Sequence, residues 1–184
     1  VMCENAPYDG FENFILSNQN NTILDGLDPS NYTITYHLTQ FEANTNVNPL
    51  PTNYQNIAAS QEIYVRLESN SNSNCYDTAS FLIEVYKKPI ITNIPDLFIC
   101  DDLSNDGFEF FDFSNQITEL LGLQSQTNYA VTFHLTLNEA QQGINEIQNN
   151  YINIFNPQTI FVRIENNLYP DCNEIDDFKL IVKN

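Results

Sequence analysis

The sequence has no tryptophan, one methionine and five glycines in 184 residues. It also has only six lysines and arginines against 24 aspartates and glutamates, for a net charge of −18. So few basic residues exclude a nucleic-acid surface, which needs a basic footprint. They also argue against docking on anionic membranes. No run of 18 apolar residues occurs, so no transmembrane helix is expected. No signal peptide or targeting motif is visible. A nucleophile elbow, a phosphate loop and a metalloprotease motif are likewise missing, and the 24 carboxylates single out no catalytic pair. The sequence therefore reads as that of a non-enzyme. What it does have is 42% hydrophobic residues, including 13 Phe and 10 Tyr, which is enough for packed cores.

The most informative feature is an internal repeat. Shifting the chain by 97 residues aligns it with itself without a gap, and 32 of 87 aligned positions are identical. Cys3 falls on Cys100, Gly10-Phe11-Glu12 on Gly107-Phe108-Glu109, and NYTITYHLT (31–39) on NYAVTFHLT (128–136). EIYVRLE (62–68) falls on TIFVRIE (159–165), and Cys75 on Cys172. A duplicated domain follows, with boundaries at 1–88 and 89–184. Pro89–Leu97 has no counterpart in the first copy. It reads as an opening strand that repeat 1 lacks, and the repeat edges predict a window from a longer array. The link YKKPIITNIPD carries two prolines, which predicts a short, stiff connection.

Strict alternation marks strands in Tyr32–Leu38 and Ile63–Glu68, and GFENFIL (10–16) and FLIEVY (81–86) also read as strands. SNQITELLG (114–122) predicts a short helix with Ser114 as N-cap and Gly122 as stop. Short alternating strands in about 95 residues predict an all-β fold. The expected architecture is two tandem immunoglobulin-like β-sandwiches with a short helical turn in each. Alternation places His37 and His134, and Arg66 and Arg163 with Glu68 and Glu165, on polar strand faces, where cross-strand pairing on a solvated or inter-domain face is expected. Tyr64 and Phe161 fall on outward faces, and Tyr8, Tyr76 and Tyr169 in loops. There they could stack on sugars, but outward aromatics also serve cross-strand packing.

Four cysteines, two per copy and 72 residues apart, lack the spacing of a zinc site. Their even count and duplicated placement favour disulfides Cys3–Cys75 and Cys100–Cys172 in an oxidising compartment, worth roughly 4 kcal/mol each in the chain-entropy model. The alternative is buried thiols.

The stretch CDDLSNDGFEFFDF (100–113) raises a metal question. Asp102, Ser104, Asp106 and the Phe108 carbonyl match positions one, three, five and seven of a Ca²⁺ loop, with Gly107 at the sharp turn. Position twelve is Phe113, so Asp112 is the nearest closing ligand. The first copy retains only Asn5 and Asp9. The competing reading is an Asp/Asn/Gly turn held by local hydrogen bonds. The shared Asp-Gly-Phe favours the turn, with Ca²⁺ in repeat 2 as a secondary cofactor assignment. Asp77-Thr78-Ala79 matches an O-glycosylation pattern, with Thr78 as acceptor.

The series C…DG-F-x-x-F, Y-x-V-T-(Y/F)-H-L-(T/S), E-A, N-Y-x-N, (Y/F)-V-R-(L/I)-E and a late Cys resembles the tandem repeats of giant Bacteroidetes cell-surface adhesins exported by the type IX secretion system. The resemblance spans both copies. It implies extracellular β-sandwich modules in series, in a gliding or attachment filament, working as stalk or adhesive surface. Neighbouring repeats of the same chain are then the first partners, with other filament chains or cell-surface glycans beyond them. The alternative function is a glycan-binding module, with or without calcium.

Overall fold

A computed structural model describes residues 1–183. The chain divides into two compact units, Val1–Tyr86 and Lys87 onward. The boundary lies two residues before the expected one. Lys87 and Lys88 already belong to the second unit, where the Lys87 carbonyl accepts from Asn166 Nδ2 (3.0 Å) and the Lys88 ammonium pairs with Glu174.

Both units have the same order of elements. The first contains β1 (Met2–Glu4), β2 (Asn13–Ile15), α1 (Asn20–Leu24), β3 (Tyr32–His37), α2 (Gln40–Thr45), β4 (Asn53–Gln55), β5 (Ser60–Ser69) and β6 (Asn72–Lys87). The second contains β7 (Leu97–Cys100), β8 (Phe110–Asp112), α3 (Ser114–Leu121), β9 (Tyr129–His134), α4 (Leu137–Gln142), β10 (Asn150–Ile152), β11 (Gln158–Asn166) and β12 (Asn173–Lys183). A four-stranded sheet, β1-β6-β5-β3 or β7-β12-β11-β9, is joined in each unit by a two-stranded sheet, β2-β4 or β8-β10. The fold is all-β in two similar halves. The pairing of third, fifth and sixth strands in one sheet and second and fourth in the other follows the immunoglobulin pattern.

Two expectations about elements are corrected. Pro89–Asp96 is not a strand, because pairing starts at Leu97, where β7 runs parallel to β12. The counterpart of β7 is present in repeat 1 as β1, so no first strand is missing there. Helix α3 occupies the expected residues but starts from Phe113, not from Ser114. Asp112 accepts from both the Ser114 amide (2.9 Å) and its hydroxyl (2.6 Å), so the acid one strand residue earlier holds the turn.

The cores are built from alternate strand positions. Ile160, Val162 and Ile164 of β11 have no exposed surface, and each contributes roughly 1.5–3 kcal/mol through burial. Phe113, Phe133 and Phe178 interlock above them with ring centroids 4.7–6.1 Å apart, two of the three contacts being edge-to-face. In repeat 1 the corresponding positions hold Leu16, Tyr36 and Phe81, and Tyr36 meets Phe81 edge-on at 6.2 Å.

The opposite sheet face is buried as well. His37 and His134 have no exposed surface, and Arg66 and Arg163 are 4% and 5% exposed. The expected solvated or inter-domain face is instead covered from within the unit, because α2 and α4 lie over it. Sequence reading found no helix there. Yet Thr136-x-x-Glu139 forms a full capping box, and the Thr39 hydroxyl likewise accepts from the Glu42 amide.

Candidate functional site

The cysteines occupy the most informative positions in each repeat. In repeat 2, Cys100 ends β7 and lies opposite Lys183, the last residue of β12. Cys172 immediately precedes Asn173, the first residue of that same strand. Ten strand steps at roughly 3.3 Å place these two residues about 30 Å apart. A disulfide needs Cα atoms within about 7 Å. Cys100 therefore cannot reach Cys172, and repeat 2 carries one cysteine at either end of its long strand; the shared strand order places Cys3 and Cys75 of repeat 1 in the same way.

The oxidation pattern agrees. Cys3 and Cys172 are the disulfide-bonded cysteines, while Cys75 and Cys100 are free and exposed. The expected pairs Cys3–Cys75 and Cys100–Cys172 are thus both corrected, since each would require one of the free thiols. The physical reason is the parallel pairing of first and last strands, which sends the two cysteines to opposite poles.

The poles can be assigned from contacts inside repeat 2. Lys87 and Lys88, where the chain enters, bind Asn166 and Glu174, which flank Cys172. Cys172 marks the entry pole. Cys100 lies beside Lys183 and marks the exit pole.

Each cysteine is held by a duplicated polar clamp. At the exit pole, the residue after the cysteine is acidic. Asp101 Oδ2 accepts from the Gly107 amide (2.9 Å), and Glu4 accepts from the amides of Asp9 and Gly10 (2.9 Å to Gly10). Gly10 and Gly107 have φ of +80° and +79°, which a side chain would strain. Buried Asn56 and Asn153 close the same loops. Asn153 Oδ1 accepts from the Glu109 amide (2.7 Å), and its Nδ2 donates to the carbonyls of Gly107 and Phe155 (2.8 and 3.1 Å). Asn56 repeats these contacts with Glu12, Gly10 and Ala58.

At the entry pole the clamp is an arginine. Arg163 Nη2 donates to the Pro170 carbonyl (2.8 Å), two residues before Cys172, and Arg66 Nη2 to the Ser73 carbonyl (3.0 Å), two before Cys75. Nη1 of each donates to the last carbonyls of the helix above, Ala140 and Gln141 or Ala43 and Asn44. Glu165 and Glu68 neutralise the guanidinium. Each histidine fixes the far side of that helix's loop. Nδ1 of His37 donates to the Val47 carbonyl (2.9 Å) and Nδ1 of His134 to the Ile144 carbonyl (2.8 Å), while Nε2 accepts from Thr35 or Thr132. Both ring nitrogens are thus engaged within the repeat.

The residues named for calcium have separate tasks. Asp102 Oδ1 accepts from the Ser104 amide (2.6 Å) and Asp106 Oδ1 from the Phe108 amide (3.0 Å), while Asp112 starts α3. The Ser104 bonds hold the Asp102 carboxyl below the usual range, and the Ser114 bonds do the same for Asp112. The loop instead gathers Asp101, Asp102 and Glu109, with the Asp102 amide donating to Glu109 Oε1 (2.6 Å). Of the five proposed ligands only Asp102 belongs to that group.

Thr78 lies within β6, half-buried, with its hydroxyl between Gln40 Nε2 (2.9 Å) and Asn44 Oδ1 (3.4 Å) of α2. Tyr76 is also on β6 rather than in a loop, and the Arg66 guanidinium lies over its ring at 3.4 Å. Tyr64 and Phe161 are half-buried, not fully outward.

No curated protein matches the sequence. The model of one family, described as the Flavobacterium inter-domain disulphide bond domain, matches twice, over residues 1–89 and 96–184. The chain is therefore two tandem members of the Flavobacterium inter-domain disulphide bond domain family.

Proposed function

We propose that the chain is a non-catalytic structural segment of an extracellular filament or adhesin of the type IX-exported kind, in which cysteines bond successive repeats. The observation that carries this reading is the placement of the two cysteines of a repeat at opposite poles of one strand. On this reading Cys3, at the exit pole of repeat 1, bonds Cys172, at the entry pole of repeat 2. Cys75 and Cys100 are then the matching half-sites for a copy before and a copy after. The clamps described above hold all four positions in the same way, whether the sulfur is bonded or free. Such bonds join modules without depending on a large interface. The acidic charge keeps the modules soluble and apart from one another.

A bond from Cys3 to Cys172 also gives tension a path that bypasses the core of repeat 1 and runs through repeat 2 along β12 alone. The enclosed segment measures about 55 nm when extended, at roughly 3.3 Å a residue. Pulling single oxidised molecules from their ends should leave that length unreleased, and adding reductant should release it. Equal extension with and without reductant would contradict the mechanical role.

A further inference from the structure

The two repeats differ in how one side of the core is sealed. In repeat 2, Ile91 and Ile94 of the segment before β7 pack against the core. The segment is also fixed by polar contacts. Gln116 Nε2 donates to the Pro95 carbonyl (3.1 Å), and the Lys179 amide donates to Asp96 Oδ1 (2.8 Å). Gln124 both accepts from the Ile90 amide (2.9 Å) and donates to its carbonyl (2.7 Å). Under this cover Gln116 is 2% exposed, Phe178 1% and Ile164 fully buried.

The same positions in repeat 1 lie open. Gln19, the counterpart of Gln116, is exposed, and Phe81 and Leu67, the counterparts of Phe178 and Ile164, are half-buried. Together with Ile23, Val65 and Ala79 they line a groove of about 360 Å³ between α1 and strands β5 and β6, mostly apolar. Leu27 and Leu82, which stand where Gln124 and Lys179 stand in repeat 2, are 44% and 58% exposed.

We propose that this groove is the docking site for an extended isoleucine- and proline-bearing linker with the chemistry of Pro89–Leu97, carried on the same chain as the repeat it covers, as Pro89–Leu97 is for repeat 2. Three features fit that occupant. The lining matches two isoleucine side chains. Gln19 retains the amide that binds a carbonyl before the incoming strand. The Leu82 amide, like that of Lys179, is placed for the acid that follows the proline. Leu27 replaces Gln124 with an apolar contact, so the outermost pair of hydrogen bonds is given up.

The test adds PIITNIPDL directly before Val1 of the full chain. The melting midpoint of repeat 1 should rise by about 5 °C or more. Hydrogen exchange should slow in Leu16–Leu24 and Asp77–Phe81. A control carries aspartate at the two added positions that match Ile91 and Ile94, and should show no rise. Q19A should lower the midpoint of the extended chain and leave the original chain unchanged. No rise, or an equal rise with the aspartate control, would overturn the proposal. So would protection that appears only at high protein concentration, which would assign the groove to self-association. None of these outcomes depends on how the cysteines pair.

Discussion

Two buried asparagines show how single residues organise the cysteine loops. Asn153 satisfies one backbone donor and two backbone acceptors at the exit pole of repeat 2, and Asn56 does the same in repeat 1. N153A should cost about 2–3 kcal/mol of repeat 2 stability, because a buried amide and carbonyls lose their partners. D106A, which removes one exposed turn contact, should cost under about 1 kcal/mol. Denaturant melts of the two variants check the difference, and equal costs would mean that the acidic turn matters as much as the clamp. The turn itself was legible, since Asp-Gly-Phe recurs in both copies. The clamp was not, because Asn56 and Asn153 lie 44 residues from the amides they bind and carry no local signature. For the same reason His37 and Arg66 read as surface residues. Alternation tells which strand face a residue is on, but not what later covers that face.

At the scale of elements, the short helices α2 and α4 decide that cover. Both are six residues long, too short to be stable alone. Arg66 and Arg163 bind their last carbonyls from below, and threonine caps close their first turns. In α4 the Glu139 carboxyl is held below its usual range, first by the Thr136 hydroxyl and then by Asn145. A lowered folded pKa contributes stability above the unfolded value of about 4.3, and that stability is lost as pH falls through the folded value. Melting midpoints of the native chain should therefore fall more steeply between about pH 5 and pH 3 than those of E139Q, whose amide can still close the capping box. Identical slopes would show that the carboxylate contributes nothing there. The strands of the large sheets were legible from their alternation, and α3 from its apolar spacing. The capping signature Thr-x-x-Glu was present for α2 and α4, but the helices carry too few apolar residues for a periodic pattern. Pro89–Asp96 reads as a strand, but is not one, for a related reason. Ile91 and Ile94 pack on the core without joining the ladder, and composition does not distinguish the two cases.

For the whole molecule, the duplication gave the two-domain organisation directly from the sequence. Cysteine connectivity did not follow from it, because spacing within a repeat is silent on strand direction. Once β7 is seen to run parallel to β12, the two cysteines of a repeat separate to opposite poles and their bonding within it is excluded. The proposed function rests on that separation: a module with one cysteine at each pole joins its neighbours rather than closing on itself. The most direct measurement is peptide mapping of the oxidised chain under non-reducing conditions, after alkylation of free thiols. One cross-linked pair, Cys3 with Cys172, is expected, together with alkylated Cys75 and Cys100. Cross-linked peptides joining Cys3 to Cys75, or Cys100 to Cys172, would contradict that pairing.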